Sequence, residues 1–314
     1  MRRFKKYLMN KTKVYSENSK RGFAPFFENK EYLFYIGPAF IVTFILMFLP
    51  LCQIIIGSLH KWEFGKPLFE SSFVGLKNYL ELNYGYVSFG KSLKLTAIYG
   101  FGSLIIELCL GLLVAVLLTN LRRARGLFSA IFIIPIVIMP AMVGLTWKMY
   151  LSYDGLVNWV LSLFFIPKVN WMGSDLALVS LILVDVWQWT PFFILILFAG
   201  LQTLPKDPVD AIRVDGANAF QAFYYIKLPL LTPLIIIVCI LRIMEIIRNF
   251  DIVFAIYQGG PGSATETLPI AVWRMFMSQR QVGMGSAFSL ILIILSFFIA
   301  LVFINFLKKT RVTH

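Results

Sequence analysis

The sequence predicts an all-α, polytopic membrane protein with six transmembrane helices. Of its 314 residues, 59% are hydrophobic and only 14% are charged, a composition that excludes an ordinary soluble enzyme. Apolar runs of about 20 residues, long enough to cross roughly 30 Å of hydrocarbon as helices, recur along the chain. They lie near residues 33–58, 95–119, 127–150, 176–203, 228–247 and 283–307.

The net charge of +13 is concentrated outside these apolar runs, so it indicates membrane topology and not nucleic-acid binding. Basic residues precede the first run, occupy the tight loop after the second, and follow the last. They are Arg2, Arg3, Lys5, Lys6, Lys11, Lys13, Lys20, Arg21 and Lys30, then Arg122, Arg123 and Arg125, then Lys308, Lys309 and Arg311. The positive-inside rule predicts that both termini are cytoplasmic. We expect a basic tail over 1–32, a membrane domain over 33–307 and a short tail over 308–314.

Residues that could catalyse a reaction or bind a metal are few and badly spaced. None of the histidines and cysteines has the spacing of a metal site or a disulfide framework; they are His60, His314, Cys52, Cys109 and Cys239. Gly85–Ser92 matches the phosphate-binding loop pattern. It lies between membrane helices instead of after a buried strand, so we interpret it as a chance match. We expect no enzyme activity, no metal and no cofactor.

The most informative polar stretch is 205–229, which lies between two apolar runs and is therefore a loop at a membrane face. Pro205 and Pro208 end the preceding helix, and the carboxylates of Asp207 and Asp210 favour the start of a short new one. Gly216 permits a turn that other residues resist, and Pro229 begins the next membrane helix. The aromatic face that follows Gly216 predicts a second, amphipathic helix. A device of this kind is suited to docking another protein.

This stretch resembles the EAA loop of the membrane subunits of bacterial ABC importers. Asp210-Ala211-Ile212 stands in the place of Glu-Ala-Ala, and Asp215-Gly216-Ala217 matches as it stands. Further motifs extend the resemblance to MalF-like carbohydrate permeases over about 73–306. They are Val186–Phe192, Ala199–Pro205, Arg242–Asp251, Gly259–Gly262 and Thr265–Leu268.

The resemblance implies a type I ABC importer permease fold with a cytoplasmic coupling helix, in the bacterial cytoplasmic (inner) membrane. It implies that the chain forms half of a pathway for a sugar or oligosaccharide. The implied partners are a second homologous permease, two copies of an ABC ATPase that bind the ATP, and an extracytoplasmic sugar-binding protein. The residues that it implies in coupling are Asp210, Ala211, Asp215, Gly216, Ala217 and Pro229.

Ionisable residues inside apolar runs are exceptional, because each costs roughly 2.5 to 3.5 kcal/mol at mid-membrane on insertion scales. This chain has Glu107, Asp185, Arg242, Glu245 and Arg248. A polar stripe on the fifth helix and aromatic planes beside an amide on the fourth suit a sugar, whose faces stack on aromatic rings and whose hydroxyls both donate and accept hydrogen bonds. The resemblance assigns substrate binding to Gln188, Trp189, Phe192, Arg242, Glu245, Ile246 and Asn249.

Other interpretations stay open at this stage. An internal ion pair between Arg242 and Glu245 would make the polar stripe structural, and the sequence leaves the partners of Glu107 and Asp185 undetermined. The segments 151–175 and 259–276 resemble the external loops of the same family, although each could be a simple turn. An ion-coupled secondary transporter that works without an ATPase, or a membrane scaffold, would be the alternative functions.

Overall fold

The computed structural model describes residues 30–83, 87–121 and 125–312. Most of the basic N-terminal residues, Gly85 of the phosphate-loop-like stretch, and Arg122 with Arg123 lie outside the described residues. The chain divides into two compact units, Met1–Ile56 and Gly57–His314. In the first unit, the described residues form one long helix in which Phe40, Phe44 and Phe48 stack at a spacing of four.

Helices account for most of the described chain. In order they are α1 (Lys30–Ser58), α2 (Lys77–Leu80), α3 (Phe89–Asn120), α4 (Arg125–Val137), α5 (Pro140–Tyr150), α6 (Leu156–Leu163), α7 (Ala177–Thr203), α8 (Lys206–Val214), α9 (Ala219–Ala222), α10 (Leu228–Arg248), α11 (Asp251–Ile256), α12 (Leu268–Trp273) and α13 (Val282–Val312). Two π-helical turns, Phe223–Lys227 and Arg274–Ser278, join α9 to α10 and extend α12. Strands β1 (His60–Lys61) and β2 (Ser72–Phe73) pair antiparallel.

The core of the second unit lies where α3, α7 and α10 pack together. Helix α3 lies close along α7. Gly111 permits this approach, because any larger residue would place a Cβ atom 2.4 Å from Cβ of Phe193. Helix α10 packs against both of these helices and also against α13. Three long helices therefore share one interior, and any polar residue that each turns inward meets the others.

Five described helical stretches are long and apolar enough to span a membrane, and α4 with α5 gives a sixth if this bent pair is one span. The predicted runs are thus all found, with two differences at their starts. The second span begins at Phe89 and not at 95, because Ser88 caps the helix by accepting a hydrogen bond from the Lys91 backbone. The fifth begins at Ala219, since the aromatic stretch before Pro229 is helical and runs directly into α10.

The third span is broken between α4 and α5, which meet at an angle of 93°. Pro140 is the cause, because a residue before proline is pushed out of the helical conformation. Met139 accordingly has ψ 130°. The break frees the carbonyl of Ile138, which accepts a hydrogen bond of 3.1 Å from Nε2 of Gln188 on α7. A side chain of a neighbouring helix thus provides the hydrogen bond that the freed carbonyl needs in apolar surroundings.

Two details of the sequence interpretation need correction. Pro208 does not end the preceding helix; α7 ends at Thr203, and Pro208 lies in the first turn of α8. The second helix of the loop is not separate either, because α9 continues through a π-helical turn into the membrane helix. In the described part of the phosphate-loop-like stretch, Lys91 donates to Oγ of Ser263 at 2.5 Å.

Candidate functional site

Three ionisable side chains from three helices meet in the interior of the second unit. Glu107 lies on α3, Asp185 on α7 and Arg242 on α10, and the side chains of all three have no exposed surface. Nε and Nη2 of Arg242 donate to the two carboxylate oxygens of Glu107, each at 2.8 Å. Nη2 also donates to Oδ2 of Asp185. We call Glu107, Asp185 and Arg242 the buried triad.

Neutral polar groups extend the buried triad toward one end of the helices. Nδ2 of Asn249 donates to Oδ1 of Asp185 at 3.1 Å and to the hydroxyl of Tyr99 at 2.7 Å. Tyr99 is buried on α3, eight residues before Glu107, with buried Ser103 between them. The spacing of four residues places all three on one face of α3. The polar residues on this face of α3 can be recognised in the sequence, but Tyr99 was not among the predicted site residues.

Trp189 covers the guanidinium of Arg242, with the Cζ atom 4.6 Å from the ring centroid. Phe192, one turn further along α7, meets Trp189 edge to face at 6.1 Å. Both aromatic side chains are partly exposed, in contrast to the triad behind them. A cation over an indole face is attracted by the ring quadrupole, so Trp189 both shields and stabilises the buried charge.

The predicted substrate-binding residues therefore divide into two groups. Trp189, Phe192, Glu245 and Asn249 are partly exposed, whereas Gln188, Arg242 and Ile246 are buried. Glu245 is not part of the buried triad; it pairs with Arg248 at 3.3 Å, and both side chains are largely accessible. The alternative pairing of Arg242 with Glu245 is not found: the described ion pairs of Arg242 go to Glu107 and Asp185, the two carboxylates that the sequence left unassigned.

Some polar atoms in this region lack a hydrogen-bond partner among the described residues. They include Nη1 of Arg242, Oε1 of Gln188 and Oγ1 of Thr190. A buried polar group without a partner costs about 1 to 3 kcal/mol, so such groups concentrate where a ligand or water completes them. The region is thus charge-paired but not saturated in hydrogen bonds.

The 205–229 loop has a defined helix–turn–helix geometry. Helix α8 begins at Lys206, with Asp207 in its first turn, and the chain reverses at Gly216, whose φ is +86°. The backbone N–H of Ala217 closes the end of α8 by donating to the carbonyl of Ile212 at 3.1 Å. Asn218 and Gln221 then form a reciprocal capping box at the start of α9.

Exposed side chains cover the outer surface of this loop. Asp210, Ala211 and Asp215 are exposed, as are the large apolar residues Val214, Phe220, Tyr224 and Tyr225. Helix α8 packs on α9 and on the π-helical turn that leads into α10. The loop is therefore attached to the same continuous helix that carries Arg242 about 35 Å further along, at 1.5 Å per residue.

The loops at the other ends of the helices are also ordered by specific contacts. Asn158, buried on α6, bonds to the carbonyls of Tyr153 and Val169 and accepts from the indole of Trp171 at 3.1 Å. In the 259–276 loop, the backbone N–H of Leu268 donates to Oγ1 of Thr96. These are therefore packed structures and not simple turns.

The 259–276 loop also contains a largely buried ion pair between Glu266 and Arg274. Burial raises the pKa of the Glu266 carboxyl, while the charge of Arg274 opposes that rise. The arginine therefore keeps an otherwise desolvated carboxylate compatible with the charged form.

Comparisons with known proteins agree with this architecture. Residues 107–312 match the family described as binding-protein-dependent transport system inner membrane component. A probable ABC transporter permease protein of Sinorhizobium fredii is 38% identical over 82% of this chain and 83% of its own length. The trehalose/maltose transport system permease protein MalF of Thermococcus litoralis is 35% identical over 86% of this chain and 91% of its own.

Solved structures show the same fold. A chain of a bacterial alginate ABC transporter, crystallised with an alginate pentasaccharide-bound periplasmic protein, superposes with a TM-score of 0.76 at 17% identity. The superposition covers 90% of this chain and 96% of that chain. The resemblance first seen in the loop motif is confirmed. The chain belongs to the family of binding-protein-dependent transport system inner membrane components, the permease subunits of ABC transporters.

Proposed function

We propose that this chain is one of two permease subunits of an ATP-driven importer for a sugar or oligosaccharide. The names of its relatives support this substrate class: one carries trehalose and maltose, and another, from Bacillus subtilis, carries arabinooligosaccharides and is 30% identical over 92% of this chain. An ATPase dimer would bind on one side of the membrane, and a sugar-binding protein would deliver the substrate on the other.

One observation carries the proposal: a single helical rod connects the exposed loop to the buried triad. The rod runs from Ala219 to Arg248, begins against α8 and carries Arg242 near its far end. A force applied to α8 by a partner therefore acts on the helix that holds Arg242 between Glu107 and Asp185. Two alternative arrangements of packed helices can convert such a displacement into opening and closing of a pathway.

The partner that docks on α8 would be the ATPase. The exposed residues Val214, Phe220, Tyr224 and Tyr225 form an apolar patch on a polar loop, which is typical of a protein-binding surface. Asp210, Ala211, Asp215, Gly216, Ala217 and Pro229 would position this surface or contact the ATPase directly. By the positive-inside rule, the loop and both termini would lie in the cytoplasm.

The substrate would enter at the partly exposed rim of the buried triad. Trp189 and Phe192 would stack on the apolar faces of a sugar ring, and Asn249 and Glu245 would bond to its hydroxyl groups. Gln188, Arg242 and Ile246 would line the same site from behind once the helices separate. The second permease would provide the opposite wall.

The test is co-purification from the native membrane with an affinity tag after His314. We expect a second permease and an ATPase to be recovered with the chain, and uptake by the reconstituted complex to depend on ATP. Recovery of the chain alone, with uptake that follows a proton gradient and persists without ATP, would contradict the proposal and favour an ion-coupled secondary transporter.

A further inference from the structure

We infer that the substrate site selects neutral sugars and disfavours anionic ones, such as sugar acids and sugar phosphates. This inference rests on the proposed function and narrows its substrate class. The relatives do not decide the matter, because their names include both trehalose/maltose and sn-glycerol 3-phosphate. The charges and hydrogen bonds around Arg242 do distinguish the two classes.

The site carries no net positive charge. Glu107 and Asp185 place two carboxyl groups against the single guanidinium of Arg242. The other polar groups of the cluster, Tyr99 and Asn249, are neutral, and Arg242 is the one fully buried cation among the described residues. On the same helix, Glu245 and Arg248 pair with each other and cancel. An incoming anion therefore meets no uncompensated positive charge.

The geometry of Arg242 leads to the same conclusion. Proteins usually recognise carboxylates and phosphates with the two-pronged edge of a guanidinium. Here Nε and Nη2 already bind both oxygens of Glu107, and the face of the group is covered by Trp189. The edge that an anionic ligand would need is thus occupied by a residue of the protein itself.

The polar atoms that remain suit a hydroxyl group. Nη1 of Arg242 is a donor without a partner and Oε1 of Gln188 is an acceptor without one, among the residues described. Both side chains are almost completely buried, at 1% exposure. The hydroxyl groups of a polyol can serve both a donor and an acceptor, whereas an ionised carboxylate or phosphate mainly accepts. A neutral polyol therefore completes this site better than an anion.

The experiment uses the complete importer, reconstituted in liposomes with ATP and its binding protein. Uptake of trehalose, maltose and arabinooligosaccharides is compared with uptake of sn-glycerol 3-phosphate and alginate oligosaccharides. We expect at least one neutral compound to be carried at least about tenfold better than every anionic one, because an anion finds no unpaired cation in the site, and an unpaired charge costs at least about one pKa unit of free energy.

Glu107→Gln tests the charge of this side chain while nearly keeping its shape. The substitution keeps an oxygen for Arg242 and removes one negative charge, so we expect the ratio of anionic to neutral uptake to rise about tenfold. Glu81→Gln is the matched control: it removes the same charge from a partly exposed loop residue that pairs with Lys77, and the ratio should not change. Asp185→Asn provides the same test if the first variant does not insert into the membrane.

The outcomes distinguish this inference from the function on which it rests. Anionic compounds carried as well as neutral ones, or a ratio that does not change in Glu107→Gln and Asp185→Asn, would overturn the selection of neutral sugars while leaving the importer intact. Absence of ATP-driven uptake of every compound would refute the proposed function, and the inference with it.

Discussion

Arg242 is held by hydrogen bonds to two carboxylates and by the face of an indole, all inside a membrane protein. Each of these three charges would be strongly disfavoured if it were alone in hydrocarbon. Their mutual attraction offsets the cost of desolvation, although such a cluster contributes less net stability than its short distances suggest. Removing Arg242 alone should therefore be far more harmful than the pairing is beneficial.

Arg242→Met measures how much stability is lost when the buried carboxylates lose their cation. It leaves two buried carboxylates without a cation, so we expect a loss of about 3 to 5 kcal/mol in stability, seen as a lower midpoint of thermal unfolding in detergent. The same change at Arg248, whose side chain is 66% exposed on the same helix, should have little effect.

The triple variant Arg242→Met, Glu107→Gln, Asp185→Asn provides the second comparison. Because all three charges are then absent, it should recover much of the stability that the single substitution loses. A triple variant as unstable as Arg242→Met would mean that the packing volume of Arg242 matters and not its charge.

Trp189 is the accessible residue whose role in uptake is easiest to isolate. We expect Trp189→Ala to reduce transport strongly, because it removes both the stacking surface for a sugar and the cover over Arg242. Trp189→Phe keeps an aromatic plane and should retain most of the transport. Assembly, followed by co-purification of the partner subunits, should be normal in both. Full uptake by Trp189→Ala would remove this residue from the site.

At the scale of elements, the turn between α8 and α9 depends on a backbone conformation more than on packing. Gly216 has φ +86°, and a Cβ atom there would meet no atom within 4 Å. A substitution at this position therefore tests the conformation itself, without a steric clash. β-branched residues resist positive φ, whereas asparagine adopts it more readily.

Gly216→Val should consequently abolish ATP-driven uptake while the protein still inserts into the membrane. Forcing valine into this conformation costs on the order of 1 to 3 kcal/mol, enough to displace α8 from its place on the rod. Gly216→Asn should retain most of the uptake, which is measured in the same liposomes. Equal transport by the two variants would argue against a coupling role for this turn.

Elements differ in how well the sequence predicted them. The length of the apolar runs predicted the spans. The residues Pro205, Asp207 and Gly216 predicted the short helix and its turn, because their effects on the backbone are local. The apolar run over 127–150 was predicted, but not the 93° angle between its two halves, since the angle depends on packing against α7. The continuity from α9 into α10 was missed because a π-helical turn has no clear sequence signal.

At the scale of the whole molecule, the polar residues of the site were predictable but their partners were not. Glu107, Asp185 and Arg242 are conspicuous in apolar runs, yet 135 and 57 residues separate Arg242 from the two carboxylates. Contacts over such separations depend on which helices are neighbours. The nearby Glu245 was the natural candidate by sequence spacing, but in the structure it pairs with Arg248 instead.

The buried triad also constrains how this sequence can diverge. Because loss of Arg242 would leave two carboxylates in the interior without a cation, neutral drift at position 242 is blocked while Glu107 and Asp185 are both present. Descendants that lose the arginine must exchange these carboxylates as well. Across an alignment of relatives, these columns should therefore vary in concert, while the exposed Arg248 should change independently of them.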